Sequence, residues 1–270
     1  MIKNIVFAGG GFKGWAYIGT LNALKEYIPF ENIENVIGTS VGSLFGLMYV
    51  LQMDPDFLLD YIINLNIKDL VDIDIDSILI NQSLVKGEMF TQIVRELISF
   101  KIDPECTFKE LKQYSKILFS VNALNITDSK LEYFNFELTP DVKLIDAIRA
   151  SSSLPILFPS YCINEKYYFD GGLCNNCAVD MVDELCTLAF DISHTASKSS
   201  FRLYDFLNSI VEITNNFYSK NNDNIYKILD SRFKDEMVNL HQTKDDIFNI
   251  YMNGYINSKN VIFNNCVALR

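Results

Sequence analysis

Gly38-Thr39-Ser40-Val41-Gly42 reads G-x-S-x-G where one apolar run, "NVI", meets another, "SLFGLMYVL". Two glycines around a serine let the backbone turn sharply between a strand and a helix. That turn lifts the hydroxyl above the sheet edge, at a helix N-terminus that favours developing negative charge. A serine nucleophile needs a base. The chain has two histidines, His194 and His241, in the polar segments "DISHTASK" and "VNLHQTK", and both are expected at the surface. Ser, then Asp, then His is the triad order of the α/β-hydrolases, but several strands precede the elbow in that fold and only two fit before Ser40. Asp170 is the better candidate: it closes the strand-like "KYYF" and precedes Gly171-Gly172. In a partly desolvated site its carboxylate would take the serine proton directly. By itself, Asp-Gly-Gly would read as a hairpin turn.

A second glycine cluster lies near the start, in "IVFAGGGFKGW". Gly9, Gly11 and Gly14 have the G-x-G-x-x-G spacing that cradles a pyrophosphate after a strand. A dinucleotide site also requires an acidic residue at the end of the second strand. Here that strand ends in Gly38-Thr39-Ser40, while Glu26, Glu31 and Glu34 all precede it. A P-loop fails too, because Trp15 stands where a lysine is required. Beside a serine elbow, consecutive backbone N–H groups suit an oxyanion hole, and glycine at Gly10 and Gly11 allows the close approach. Lys13 either braces this loop or is an ordinary exposed lysine. Cys174-x-x-Cys177 has no second pair to complete a zinc site, so no metal and no cofactor are expected.

These groups must be positioned by a scaffold, and the periodicity supplies one. Ile5–Ala8 and Asn35–Gly38 read as buried strands, Trp15–Tyr27 and "SVGSLFGLMYVLQ" as helices. Residues 56–111 are amphipathic and helical, with polar joints at Asn81, Gly87 and Asp103-Pro104. "KILFSVNALN", "KLEYFNFEL" and "YYFD" read as further strands. After Cys186 the chain turns polar and Asn-rich ("NNFYSKNNDN"), then helical. Strand, helix, strand, helix predicts a parallel sheet covered on both faces. The expected organisation is one α/β domain over 1–270 with a helical insertion, its motifs within 1–183 and 184–270 mainly helical.

The net charge of −11 argues against a nucleic-acid partner and disfavours electrostatic docking on anionic lipid, leaving apolar insertion into a membrane surface open. "MIKNIVF" has no signal-peptide character, and the most apolar window, "VIGTSVGSLFGLMYVL", is broken by Ser, Thr and Gly. A cytoplasmic protein, at most peripheral at membranes, is expected, its six cysteines free thiols.

Gly9-Gly10-Gly11-Phe12-Lys13-Gly14, Gly38-Thr39-Ser40-Val41-Gly42 and Asp170-Gly171-Gly172 together resemble the patatin-like phospholipase family. So do "RASSSLPILFPS" (149–160) and "DGGLCNNCAVD", in the right order. The resemblance implies a three-layer α/β/α sandwich with a mainly parallel central sheet. It implies metal-free hydrolysis of phospholipid or other acyl-ester lipids by a Ser40–Asp170 dyad without histidine. The oxyanion hole would come from the Gly9–Gly11 loop, chiefly Gly10 and Gly11, assisted by the N–H of Val41. Cys177-Ala178 departs from the family, which often has an aromatic residue and a proline there. Asn175 and Asn176 are expected to hold the turn after Asp170, and Leu157 and Phe158 to lie near an acyl pocket. The insertion at 56–111 either covers the site or simply packs on the core. The alternatives are an esterase or thioesterase for soluble acyl substrates, a catalytically silent lipid-binding or regulatory module and, more remotely, a dinucleotide-binding protein.

Overall fold

The computed structural model describes residues 1–65, 83–193, 225–229 and 241–268. Short apolar runs bounded by glycine or polar residues form the sheet: β1 (Asn4–Phe7), β2 (Asn35–Thr39), β3 (Leu118–Asn125), β4 (Lys130–Phe134), β5 (Tyr161–Ile163), β6 (Lys166–Asp170), β7 (Thr187–Asp191) and β8 (Ile225–Lys227). Their order is β5-β6-β3-β2-β1-β7-β8, with β4 also paired to β3. Strands β3, β2, β1, β7 and β8 run parallel to one another, whereas β4 and β6 run antiparallel to β3, and β5 antiparallel to β6.

The helices are α1 (Trp15–Tyr27), α2 (Val41–Val50), α3 (Pro55–Asn64), α4 (Glu88–Ser99), α5 (Phe108–Tyr114), α6 (Leu144–Ser151) and α7 (Lys244–Ala268). Their start signals are in the sequence. Asp54 caps α3 ahead of Pro55, and Thr107 and Glu110 form a capping box on α5. The strands alternate as a two-sided sheet must. Ile5, Phe7, Val36, Phe119 and Phe190 enter the main core with α1, α2 and α6, whereas Val6, Ile37 and Ala189 face away, against Ala178 and Val179. The fold expected from the sequence, a central mainly parallel sheet flanked by helices, is borne out. Within 56–111 the described part carries α3, α4 and the start of α5; residues 66–82 of that insertion lie outside the described residues.

Strand β3 does most to position the site. Its residues Leu118–Asn122 pair with β2 and its residues Ala123–Asn125 with β6, while β4 pairs across from Val121 to Asn125. Because β4 occupies one edge throughout that range, β2 and β6 share the other edge. They approach from opposite directions and meet end to end: Thr39 faces Asn122, and Asp170 faces Ala123.

Candidate active site

Ser40 follows directly on β2 and precedes the first residue of α2, with φ 53° and ψ −128°. Such a conformation at a non-glycine residue costs on the order of 1–3 kcal/mol and persists only where neighbours over-determine it. The neighbours are visible. The Ser40 N–H donates to Ser151 Oγ at 2.8 Å, and its carbonyl accepts from Ser43 N (2.9 Å) and Ser43 Oγ (2.5 Å). The bracketing glycines are required by close approach. A Cβ on Gly38 would collide with the Ser43 backbone, and one on Gly42 with the Phe7 and Ala8 carbonyl oxygens.

Asp170, the last residue of β6, is buried, 4% exposed. Its carboxylate accepts hydrogen bonds from the Ser40 hydroxyl and, at 2.7 Å, from Gly172 N. Burial pushes its pKa up to about 7, against the opposing pull of those two bonds. The Asp170 N–H donates to the carbonyl of Ser153 at 2.9 Å, so the last turn of α6 and the residues after it touch both Ser40 and Asp170. The turn after Asp170 is a 3-10 turn, Gly171–Leu173, rather than the hairpin that Asp-Gly-Gly alone suggests.

The glycine loop leaves β1 and passes beside Ser40. Gly11 has φ 59°, requiring glycine, and opens the 3-10 turn Gly11–Gly14. Gly11 and Val41 each begin a helical element, where N–H groups lack a partner in their own helix. Gly9 differs from the sequence expectation. Its N–H donates to the Asn176 carbonyl at 3.1 Å, so it anchors the loop instead of joining an oxyanion hole, and the candidate donors narrow to Gly10, Gly11 and Val41. Lys13 is buried (1% exposed), which removes the ordinary surface reading. Tyr17 of α1 sets its hydroxyl 2.7 Å from the Ala8 carbonyl and 3.0 Å from that of Phe190, fixing the ends of β1 and β7 just before the loop.

The remaining candidates fall apart from this cluster. His241 is exposed on the turn before α7, and His194 lies outside the described residues. Cys174 and Cys177 are free thiols whose pKa values burial raises. Among the described residues no cluster of His, Cys, Asp and Glu is arranged to hold a metal ion. Leu157 packs with Leu154 and Leu173, three residues beyond Asp170, whereas Phe158 lies 4.7 Å from the Arg149 guanidinium. Sequence reasoning missed Ser151, and it placed Asn176 only as a turn residue.

A strained serine bonded to a buried aspartate, at the C-terminal ends of an α/β sheet, defines a class of hydrolase-like folds, and comparison narrows it. The family model described as "Patatin-like phospholipase" matches residues 5–183, and the chain belongs to that family. It is 29% identical over 185 residues to "Probable lipid hydrolase 463L" of Invertebrate iridescent virus 6, covering 66% of this chain and 62% of that protein. It is 27% identical over 200 residues to "Lysophospholipase NTE1" of Coccidioides immitis, covering 67% of this chain but 11% of that protein. The chain thus matches less than two thirds of either relative's length. Among solved structures, VipD from Legionella pneumophila has a TM-score of 0.70 at 17% identity, covering 98% of this chain and 67% of VipD. The type III effector ExoU of Pseudomonas aeruginosa has a TM-score of 0.57 at 14% identity, covering 98% of this chain and 53% of that one. At these identities the structural likeness is one of fold.

Proposed function

We propose that the protein is a lipid acyl hydrolase of phospholipase A type, working through Ser40 and Asp170. The observation that carries this reading is the meeting of a strained Ser40, at the end of β2, with the buried Asp170 carboxylate, at the end of β6, whose pKa burial pushes up to about 7. A base is most useful when its pKa lies near the working pH. Deprotonated Asp170 takes the Ser40 proton as Oγ attacks the ester carbonyl. The tetrahedral oxyanion is received by the N–H groups of Gly10, Gly11 and Val41, donors of a kind worth roughly 3–4 kcal/mol each. Collapse releases the lysolipid or alcohol, which takes the proton back from Asp170. Water, activated by the same carboxylate, then cleaves the acyl-enzyme and frees the fatty acid. No step draws on a histidine or a metal.

Family membership and the lipid-hydrolase names of the relatives support a lipid substrate over a soluble one. Labelling with a fluorophosphonate probe tests the nucleophile: adduct on Ser40 is expected, and an unlabelled Ser40 in the folded protein would return the site to a silent binding module. Turnover of one acyl ester above and below its critical micelle concentration separates the substrate classes. A lipid hydrolase gains rate on the aggregated form; a soluble-substrate esterase does not.

A further inference from the structure

We propose that Asn176 is a positioning residue of this site: its neutral carboxamide joins the glycine loop to the loop that carries Asp170 and holds the two halves in register. The inference rests on the reading of Ser40 and Asp170 above. Asn176 holds both backbone polar groups of Gly9, its carbonyl accepting the Gly9 N–H at 3.1 Å and its Nδ2 donating to the Gly9 carbonyl at 3.3 Å. Its Oδ1 fills the space where two glycines lack a side chain. A Cβ on Gly9 would lie 2.5 Å from Asn176 Oδ1 and 3.2 Å from Ser40 Cβ. A Cβ on Gly172 would lie 2.8 Å from the same Oδ1 and 3.0 Å from Asp170 Oδ1. The carboxamide therefore stands among the glycine loop, the nucleophile and the base.

Asn176 is itself held from behind. The preceding carbonyl, that of Asn175, accepts from Asn122 Nδ2 of β3 (2.8 Å) and from Thr39 Oγ1 of β2 (3.4 Å). The Asn175 side chain donates to Asp180 (2.6 Å) and to the Tyr133 hydroxyl (3.2 Å). The sheet thus fixes the loop, and Asn176 passes that position to Gly9 and so to Gly10 and Gly11. Aspartate has the same shape with the opposite consequence. It would set an acceptor against the Gly9 carbonyl and a second carboxylate beside Asp170, whose proton affinity a like charge raises. Among the described residues, the other charged groups around this loop are Asp180, engaged by Asn175, Asp191, whose charge acts on Cys177, and the buried Lys13 of the glycine loop.

The test compares Asn176→Ala and Asn176→Asp with wild type on an acyl-ester reporter, across pH, with thermal melting as the folding control. Asn176→Ala should lose roughly 10- to 100-fold in kcat with KM within about twofold, because misaligned donors fail chiefly in the transition state. In Asn176→Asp the midpoint of the rise of kcat/KM with pH should move up by about one unit. Wild-type kcat in the alanine variant, or an unmoved midpoint in the aspartate variant, overturns the proposal. Should the alanine variant fail to fold, the isosteric aspartate variant decides. Ser40→Ala, run in parallel, separates a failure of the hydrolase reading. The infrared titration of the Asp170 carboxyl, assigned with Asp170→Asn, reads the shift without any turnover.

Discussion

At the scale of the residue, the candidate site holds a carboxylic acid whose surroundings raise its pKa. Asp170 sits in a buried place where burial outweighs the bonds from Ser40 and Gly172, and its pKa rises to about 7. Two measurements follow. In the proposed role as base Asp170 works only when deprotonated, so kcat/KM should climb with pH to a plateau with a midpoint near 7, and Asp170→Asn should lose on the order of 10²- to 10⁴-fold. The same shift has the opposite sign for stability. The unfolded chain releases this proton near pH 4, the folded one near 7, so across that window the folded state binds more protons and stability falls as pH rises. Asp170→Asn escapes this penalty. Its urea midpoint should overtake that of wild type by pH 8 and draw level again below pH 4, whereas parallel curves would show that Asp170 is not so perturbed. Ser40 and Asp170 were legible in the sequence because glycines bracket one and follow the other. Ser151 and Asn176 were not: serine and asparagine are ordinary loop residues, and their partners lie 111 and 167 positions away in the chain.

At the scale of the element, the elbow and β3 carry the geometry. The first strands and helices were readable from their apolar runs almost to the residue, as with α1 at Trp15–Tyr27. The end-to-end meeting of β2 and β6 along one edge of β3 was not readable, since pairing partners leave no periodic trace in either strand. Strand β7 was hidden for another reason. "TLAFD" is buried throughout, so it shows no alternation, and polar sequence follows it. The elbow's tolerance can be measured through Gly42. A methyl group there meets two backbone carbonyls, which cannot swing aside as a side chain would. Gly42→Ala should cost roughly 1–3 kcal/mol of stability by overpacking. It should also slow fluorophosphonate labelling of Ser40 beyond what the remaining folded fraction explains. A variant with wild-type melting and labelling would show that the backbone approach is looser than described.

At the scale of the whole molecule, the fold extends past the family match. That match ends at residue 183, yet β7 pairs with β1, and α7 lies along α1 with Thr20 Oγ1 2.9 Å from Ser258 Oγ and Asn22 donating to the Tyr251 hydroxyl at 2.9 Å. Ile247, Ile250, Tyr251 and Ile262 of α7 are buried in the main core. A chain cut after residue 183 should therefore lack a cooperative urea transition, because it bares an edge of β1 and one face of α1. A sharp transition in that fragment would make the later residues dispensable. No helix among the described residues is long and apolar enough to cross a membrane. If the proposed lipid substrate is right, the net charge of −11 opposes contact with anionic vesicles, and salt should promote rather than weaken it. The central claim is that Ser40 is the nucleophile of an acyl hydrolase. It is tested most directly by following fatty-acid release from phospholipid vesicles by wild type and Ser40→Ala, both shown to be folded. Release by wild type and none above background by the variant is the predicted result; equal release by the two would contradict it.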